Sequence, residues 1–378
     1  MLFRYKILFI VLFAVFLIQN KQGSTEQKQA VWEKNFTGYI REIAWAKNSE
    51  YILIIMNIDN KEGVTTSSII DCLDRNGNIL WEQKKDKIAF INLDTSQNSD
   101  IIVGGFDLNE SGKSFLFDIK GNVLREYDKE ANIISPDGNQ IIYYNPENTI
   151  FGSYNKGGKT LWNEQKLGIK KSILAVKFFP NDPKIIATTG DATVYCLKLN
   201  GEILWTKKFG KLFHGDISIS NNEEFIAFGT SLQNKDHILV FTKNGNILWQ
   251  KIPSDIVGLD AIDLSESSKY LLVCGSSIYG QFASIFTKEG NKILETNWKY
   301  KSAQIDEGYI SKEDNLYVVV NFYFMKDERS KISCFDSNKK ELWSIDFISQ
   351  CSFRISPNHN YMVVKEGDNK ILFYKLNN

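Results

Sequence analysis

The chain has 378 residues, with 45 Lys plus Arg against 45 Asp plus Glu, and so no formal net charge. That balance argues against a nucleic-acid binder, which needs a basic field to displace counterions from phosphates. Aromatic residues make up 13% of the chain, a share suited to a core built between β-sheets, while five cysteines with no Cys-x-x-Cys pair give neither a disulfide framework nor a readable zinc or redox motif.

Residues 1–20 differ from all that follows. Arg4 and Lys6 precede an unbroken apolar run at residues 7–18. A basic start before a run of this length has the shape of a secretory signal, and it is short for a spanning helix of about 20 residues. No Ala-x-Ala cleavage site follows, and no cysteine stands after the run to take a lipid. The expectation is export, with residues 1–20 as a signal peptide or an uncleaved N-terminal membrane anchor and residues 21–29 as a polar spacer. The mature protein is then periplasmic, extracellular, or held on the outer side of the cytoplasmic membrane.

From Trp32 onward one phrase recurs. Asp74-Arg75-Asn76-Gly77-Asn78-Ile79-Leu80-Trp81 is one copy, and residues 199–205 and 243–249 repeat it. Residues 156–162 and 337–343 are looser copies, and residues 120–125 and 289–294 keep the turn but lose the tryptophan. The turn anchors at 77, 121, 158, 201, 245, 290 and 339 are 44, 37, 43, 44, 45 and 49 residues apart. A period of this length marks a propeller or another repeat array.

The unit ending at Trp205 resolves into four short strands, at residues 173–180, 184–189, 192–198 and 203–208. Asn200-Gly201 supplies the two positive-φ residues of the last hairpin. The strands are apolar on both faces, as in a sheet wedged between two neighbours. Cys72, Cys196 and Cys334 each lie five residues before a turn anchor, so they share one site and read as small buried hydrophobes. Ser135-Pro136-Asp137-Gly138, with weaker copies at Ser220, Ser265 and Ser356, is the turn between first and second strands.

The last unit has only three strands, near residues 351–356, 361–365 and 371–375, whereas residues 29–34 match a fourth strand with nothing of its own blade before it. The N-terminus therefore completes the last blade and removes two exposed sheet edges. Fourth strands at Trp32, Trp81, Arg125, Trp162, Trp205, Trp249, Leu294 and Trp343 count eight. The predicted fold is all-β: an eight-bladed β-propeller of four-stranded blades over residues 30–378, closed by an N-terminal strand.

The Asn-Gly-x-Ile-Leu-Trp strand, with Asp74 or Asp118 just before the turn, resembles the pyrroloquinoline-quinone-like repeat of bacterial eight-bladed propellers. The Ser-Pro-Asp-Gly turn is more similar to the WD-repeat relatives. The resemblance implies kinship with quinoprotein dehydrogenases, with the propeller lipoprotein that assists outer-membrane β-barrel assembly, and with other exported propellers. The enzyme branch fits poorly: its Ala-x-Asp-x-x-Thr-Gly-Lys phrase is absent from every unit, and no adjacent cysteine pair or recognisable Glu, Asn and Asp set is present for a quinone and its calcium. The lipoprotein branch is matched in blade number and export but not in lipidation.

No catalytic residue, cofactor or metal site is predicted. His214, His237 and His359 share no local motif, and residues 107–112 lack the ligand order of an EF-hand. The preferred reading is an exported, non-catalytic and monomeric scaffold that binds a protein or an envelope polymer, touching the membrane only through residues 1–20. The alternatives are a quinone- or other cofactor-dependent oxidoreductase with its site in the central funnel, and a membrane-tethered ligand or glycan sensor. Candidate partner-binding residues lie in long loops between second and third strands: Asp107, Asn109 and Glu110; Lys235 and Asp236; and Lys326, Asp327, Glu328 and Arg329. Trp32, Trp81, Trp162, Trp205, Trp249 and Trp343 are read as structural. Trp45, in a first strand, either lines a central site or packs against the next blade.

Overall fold

A computed structural model describes residues 26–376 apart from 146–148, 210–211, 233–234, 252–255, 266, 299–302 and 312–316. The predicted signal or anchor, residues 1–20, lies outside the described residues.

Eight sheets follow one another around a ring. In blade 1 the strands are Tyr39–Trp45, Tyr51–Asp59, Thr65–Asp74 and Ile79–Asp86, each antiparallel to the next. Blades 2 to 7 repeat this order over residues 88–127, 131–163, 173–208, 212–251, 256–298 and 303–347. Blade 8 takes Cys351–Ile355, Tyr361–Glu366 and Lys370–Lys375 from the C-terminus and Trp32–Asn35 from the N-terminus, with Trp32 opposite Phe373. The predicted eight-bladed fold and its mode of closure are both borne out. Apolar side chains from both faces of each sheet pack into the neighbouring blades: Ile70 and Cys72 meet Phe90 and Val103 of blade 2, and Cys334 and Ile345 meet Met362 and Val364 of blade 8.

Antiparallel order places the connections at two ends of the ring. Turns joining strands one to two and three to four lie on one face, here the turn face. Hairpins joining strands two to three, and the links to the next blade, lie on the opposite, hairpin face.

The repeated phrase builds two features on the turn face. Each of five tryptophans donates its indole N–H to a turn carbonyl of the next blade: Trp32 to Arg75, Trp81 to Ile119 and Trp162 to Leu199 at 2.8 Å, Trp205 to Lys243 at 3.1 Å, and Trp249 to Lys288 at 2.8 Å. The turn glycine of that next blade lies against the indole face, as Gly201 lies on Trp162. In blade 2 the Arg125 side chain takes the indole's place beside Gly158. The second feature is a bulge between third and fourth strands of blades 1 to 7. Cys72 faces Trp81 and Leu73 faces Ile79, so Leu80 is the extra residue; Leu204 and Leu248 are extra in the same way.

Two local elements depart from the sequence reading. A helical turn, Glu164–Leu167, ends the fourth strand of blade 3, with Asn163 Oδ1 accepting from the Lys166 N–H and Gly168 in the left-handed region. Part of the predicted polar spacer is a strand: Glu26–Gln27 runs parallel to Glu341–Phe347, the fourth strand of blade 7, with Glu26 opposite Trp343. Lys28 Nζ then sits 5.4 Å from the Trp343 ring centre and donates to the Leu376 carbonyl at 3.0 Å. Blade 8 has no turn between third and fourth strands, because its fourth strand comes from the other end of the chain. The segment before that strand covers Trp343 instead.

Candidate binding surfaces

Around the axis the first strands are joined by side chains that accept backbone N–H groups of the next blade. Asp94 accepts from Ile134 at 2.9 Å, the Ser218 hydroxyl from Leu264 at 2.9 Å, and Glu307 from Phe353 at 2.6 Å. Arg354 spans three blades, pairing with Glu307 of blade 7 at 2.6 Å and with Glu42 of blade 1 at 3.0 Å. Burial pushes the Glu307 carboxyl up from its ordinary value, and Arg354 works against that shift. These charges hold blades together, and their hydrogen-bonding capacity is committed to doing so.

A cavity of about 430 Å³ opens beside this network on the hairpin face, lined by Tyr39, Asp306, Glu307, Gln350, Lys365 and Asp368. Asp306 is the extra residue of a bulge in blade 7's first strand, and it accepts from Gln304 at 2.7 Å and Gln350 at 3.2 Å. Lys365 Nζ lies 4.5 Å from the Tyr39 ring centre. The hairpin of blade 8 is short, since Glu366 already pairs with Lys370, and a polar hollow results between the longer hairpins of blades 7 and 1.

The predicted partner-binding residues stand on three separate blades rather than in one cluster. Asp107 Oδ1 accepts from the N–H groups of Asn109 at 2.9 Å and Ser111 at 3.0 Å, so this carboxylate shapes its own turn. Asn109 and Glu110 are exposed at the tip, Glu110 at φ 60°. Lys326, Asp327 and Glu328 form the tip of blade 7's hairpin. Arg329 is not a loop residue: it pairs with Phe324 in the ladder and stacks its guanidinium 4.7 Å from that ring. Lys235 and Asp236 are likewise in the third strand of blade 5, opposite Leu232 and Ser231.

The sequence reading missed a different set. Apolar residues crown the hairpins of an arc of blades: Ile278 and Tyr279 on blade 6, Met325 on blade 7, Val64 on blade 1 and Leu108 on blade 2. Tyr279 is 61% exposed and Met325 53%. Ile348, in the link from blade 7 to blade 8, stands out on the same face. The signal was available, since an aliphatic or aromatic residue inside a turn phrase, as in Asp107-Leu108-Asn109, has no core to enter.

Other candidates resolve into structural roles. Trp45 is buried in the seam between blades 8 and 1, donating to the Arg354 carbonyl at 3.0 Å with its ring 6.2 Å from that of Tyr361, so it packs, but against the preceding blade rather than the next. All five cysteines are free and buried, and burial pushes the thiols of Cys72, Cys196 and Cys334 up to about 12, 11 and 12. The turn serines Ser135, Ser220, Ser265 and Ser356 each accept an N–H five residues on, at 2.9 to 3.1 Å. His237 lies 2.6 Å from Gln250 in blade 5, and His359 is in blade 8's first turn, on the turn face. The side chain of His214 lies outside the described residues. Among the described residues no three His, Cys, Asp or Glu side chains are grouped to hold a metal ion.

Fold and repeat together define an eight-bladed propeller that joins a PQQ-like fourth strand to a WD-like first turn. Residues 146–307 match the family described as outer membrane protein assembly factor BamB, which bears out the resemblance seen in the repeat. No curated protein sequence matches the chain. Among solved structures it is similar to BamB from Moraxella catarrhalis, with TM-score 0.61 and 14% identity over 92% of this chain and 100% of that one. Chaetomium thermophilum Sqt1 bound to the N-terminus of the ribosomal protein L10 gives TM-score 0.68 and 12% identity over 92% and 100%. The C-terminal WD40 domain of Sif2 gives 0.67 and 13% over 94% and 100%. At these identities the likeness is one of fold.

Proposed function

We propose that this protein is an exported, non-catalytic scaffold, held at a membrane by residues 1–20, that binds a protein partner on its hairpin face. The observation that carries the reading is the arc of exposed apolar hairpin tips on blades 6, 7, 1 and 2 around the polar hollow of blade 8. Apolar contacts around a polar recess suit a protein surface, and a rigid ring fixes the tips before the partner arrives, which lowers the ordering cost of binding. The fold supports the same reading. The Sqt1 structure carries a segment of a partner protein, and the family matched by the middle of this chain is described as an assembly factor. The axial charges are tied into blade-to-blade bonds, whereas the apolar tips are accessible.

Site-specific photocrosslinking tests it. A photoreactive residue at Leu108, Tyr279 or Met325 of the full chain is expected to capture one common partner in cells. The same residue at Asn200 or Asn244, on the turn face, is expected to capture none of it. Crosslinks to that partner from the turn face alone, or no protein crosslink from any of the three tips, would overturn the reading.

A further inference from the structure

Among the described residues, the large exposed hydrophobic ones not on the hairpin face all belong to one repeated place, the turn end of the fourth strands. Ile79 and Leu80 in blade 1, Ile203 and Leu204 in blade 4, and Ile247 and Leu248 in blade 5 show the pattern. A regular strand would send one of each pair inward, but the bulge turns both out, so Ile247 is 49% and Leu248 44% exposed. Beyond the tryptophan the same strands become polar, as in Thr206-Lys207-Lys208 and Gln250-Lys251. The ring therefore carries a broken aliphatic belt at the rim of its turn face.

Lysines stand at the adjoining turn tips, with Glu289 exposed beside Lys288 in blade 6. Lys120, Lys159, Lys243, Lys288, Lys339 and Lys340 are exposed there. Asp74, Asp118 and Asp336 of the same turns fold back to accept the turn's own N–H groups at 2.8 to 2.9 Å, and Glu202 pairs with Lys198 at 2.8 Å. Cations thus lead and aliphatic side chains follow, the order in which an interfacial surface meets anionic headgroups and then acyl chains.

The first described residue lies at this same rim. Glu26–Gln27 runs parallel to blade 7's fourth strand, which starts at a turn, and Glu26 pairs with Trp343, next to exposed Leu342. The apolar run at residues 7–18 is joined to Glu26 by residues 19–25, which span at most about 25 Å when fully extended.

We infer that the turn face lies against an anionic lipid bilayer, with the aliphatic belt seated at headgroup level and the hairpin face turned outward to its partner. The inference rests on the anchored reading of residues 1–20 and replaces the expectation that those residues alone touch the membrane.

The test uses the full chain with vesicles of phosphatidylcholine and phosphatidylglycerol whose acyl chains are brominated. Flotation reports attachment. Tryptophan fluorescence reports depth, because Trp81, Trp205 and Trp249 stand one residue beyond the aliphatic pairs and bromine quenches only at close range. The expected result is loss of fluorescence relative to unbrominated vesicles, weaker when phosphatidylglycerol is left out. The variant I203S/L204S/I247S/L248S is expected to float but to escape quenching, while M325S on the hairpin face quenches like the parent. Flotation of the parent without quenching, or equal quenching of the four-site variant, would overturn the inference and leave the anchored scaffold standing. A full chain that does not float overturns the anchored reading and this inference with it.

Discussion

Gly201 lies flat against the indole of Trp162, so close that a Cβ on it would come within 2.7 Å of the ring. Its φ of 87° is also one that L-residues avoid, so two constraints fall on one position. At the corresponding turn of blade 7 the residue is Lys339, at φ 67°, and the preceding blade offers Leu294 instead of an indole. The ring excludes a side chain from the turn, and where the ring is gone a lysine is tolerated. Gly201→Ala is expected to lower unfolding stability by about 2 kcal/mol, through left-handed strain plus overpacking. Lys339→Gly is expected to change it by less than about 1 kcal/mol, towards greater stability. Urea unfolding followed by tryptophan fluorescence measures both.

The segment that covers Trp343 gives a second expectation. Lys28→Ala removes a cation–π contact and a hydrogen bond to Leu376, and is expected to cost about 1 kcal/mol. Gln27→Pro takes the N–H from the two-residue parallel ladder and is expected to expose Trp343 as well. Acrylamide quenching of tryptophan, alongside thermal unfolding, distinguishes local opening from general loss of stability.

Arg354 is the counter-ion of a buried carboxylate. Arg354→Met is expected to destabilise the protein by about 2 kcal/mol at neutral pH, because Glu307 stays in the blade interface without its cation; the partial exposure of the Arg354 head keeps the cost below that of a fully buried pair. Burial already raises the Glu307 pKa in the folded state, and losing Arg354 raises it further. The folded variant then holds a proton that the unfolded chain releases, so its stability recovers as pH falls towards the ordinary glutamate range. Glu307→Gln in the same background is expected to restore stability at neutral pH and to abolish the recovery in acid.

Asp71 makes the same point at the closing seam. It is buried in the third strand of blade 1, and its carboxyl is pushed up to about 6 by burial and by Glu82, with Lys34 of the closing strand opposing. Between the unfolded value of 3.8 and about 6, folding takes up a proton here, so stability from this site falls as pH rises through that window. Asp71→Asn is expected to flatten that slope and to raise stability above pH 7 by about 2 kcal/mol, read from unfolding curves across pH 4 to 8.

Most of the ring was legible in the sequence because its constraints are local and repeated. The turn glycines, the tryptophans and the third-strand cysteines each report one backbone position several times over, and the unmatched fourth strand at Trp32 announced the closure. What was missed depends on contacts between distant residues. The ladder of Glu26–Gln27 pairs the segment before the closing strand with blade 7, more than 300 positions away. Arg354 meets Glu42 across 312 positions, which no local pattern reports. Lys235, Asp236 and Arg329 stand in ladders and not in loops, since hairpin length follows from where pairing stops. The tips carry exposed apolar residues beside their polar and charged ones, as Leu108 stands beside Asn109 and Met325 beside Lys326.

The closing strand also sets an order of events. Trp32 is among the first ring residues to be synthesised, and its ladder partner Phe373 is among the last. Until that partner exists the ring is open, with the edges of blades 8 and 1 uncovered and Trp45 without the Tyr361 ring beside it. A nascent chain therefore cannot complete its native circle before Phe373 and its strand have been made, however many blades have formed. Products truncated near the C-terminus would be left as unclosed arcs and open to proteolysis.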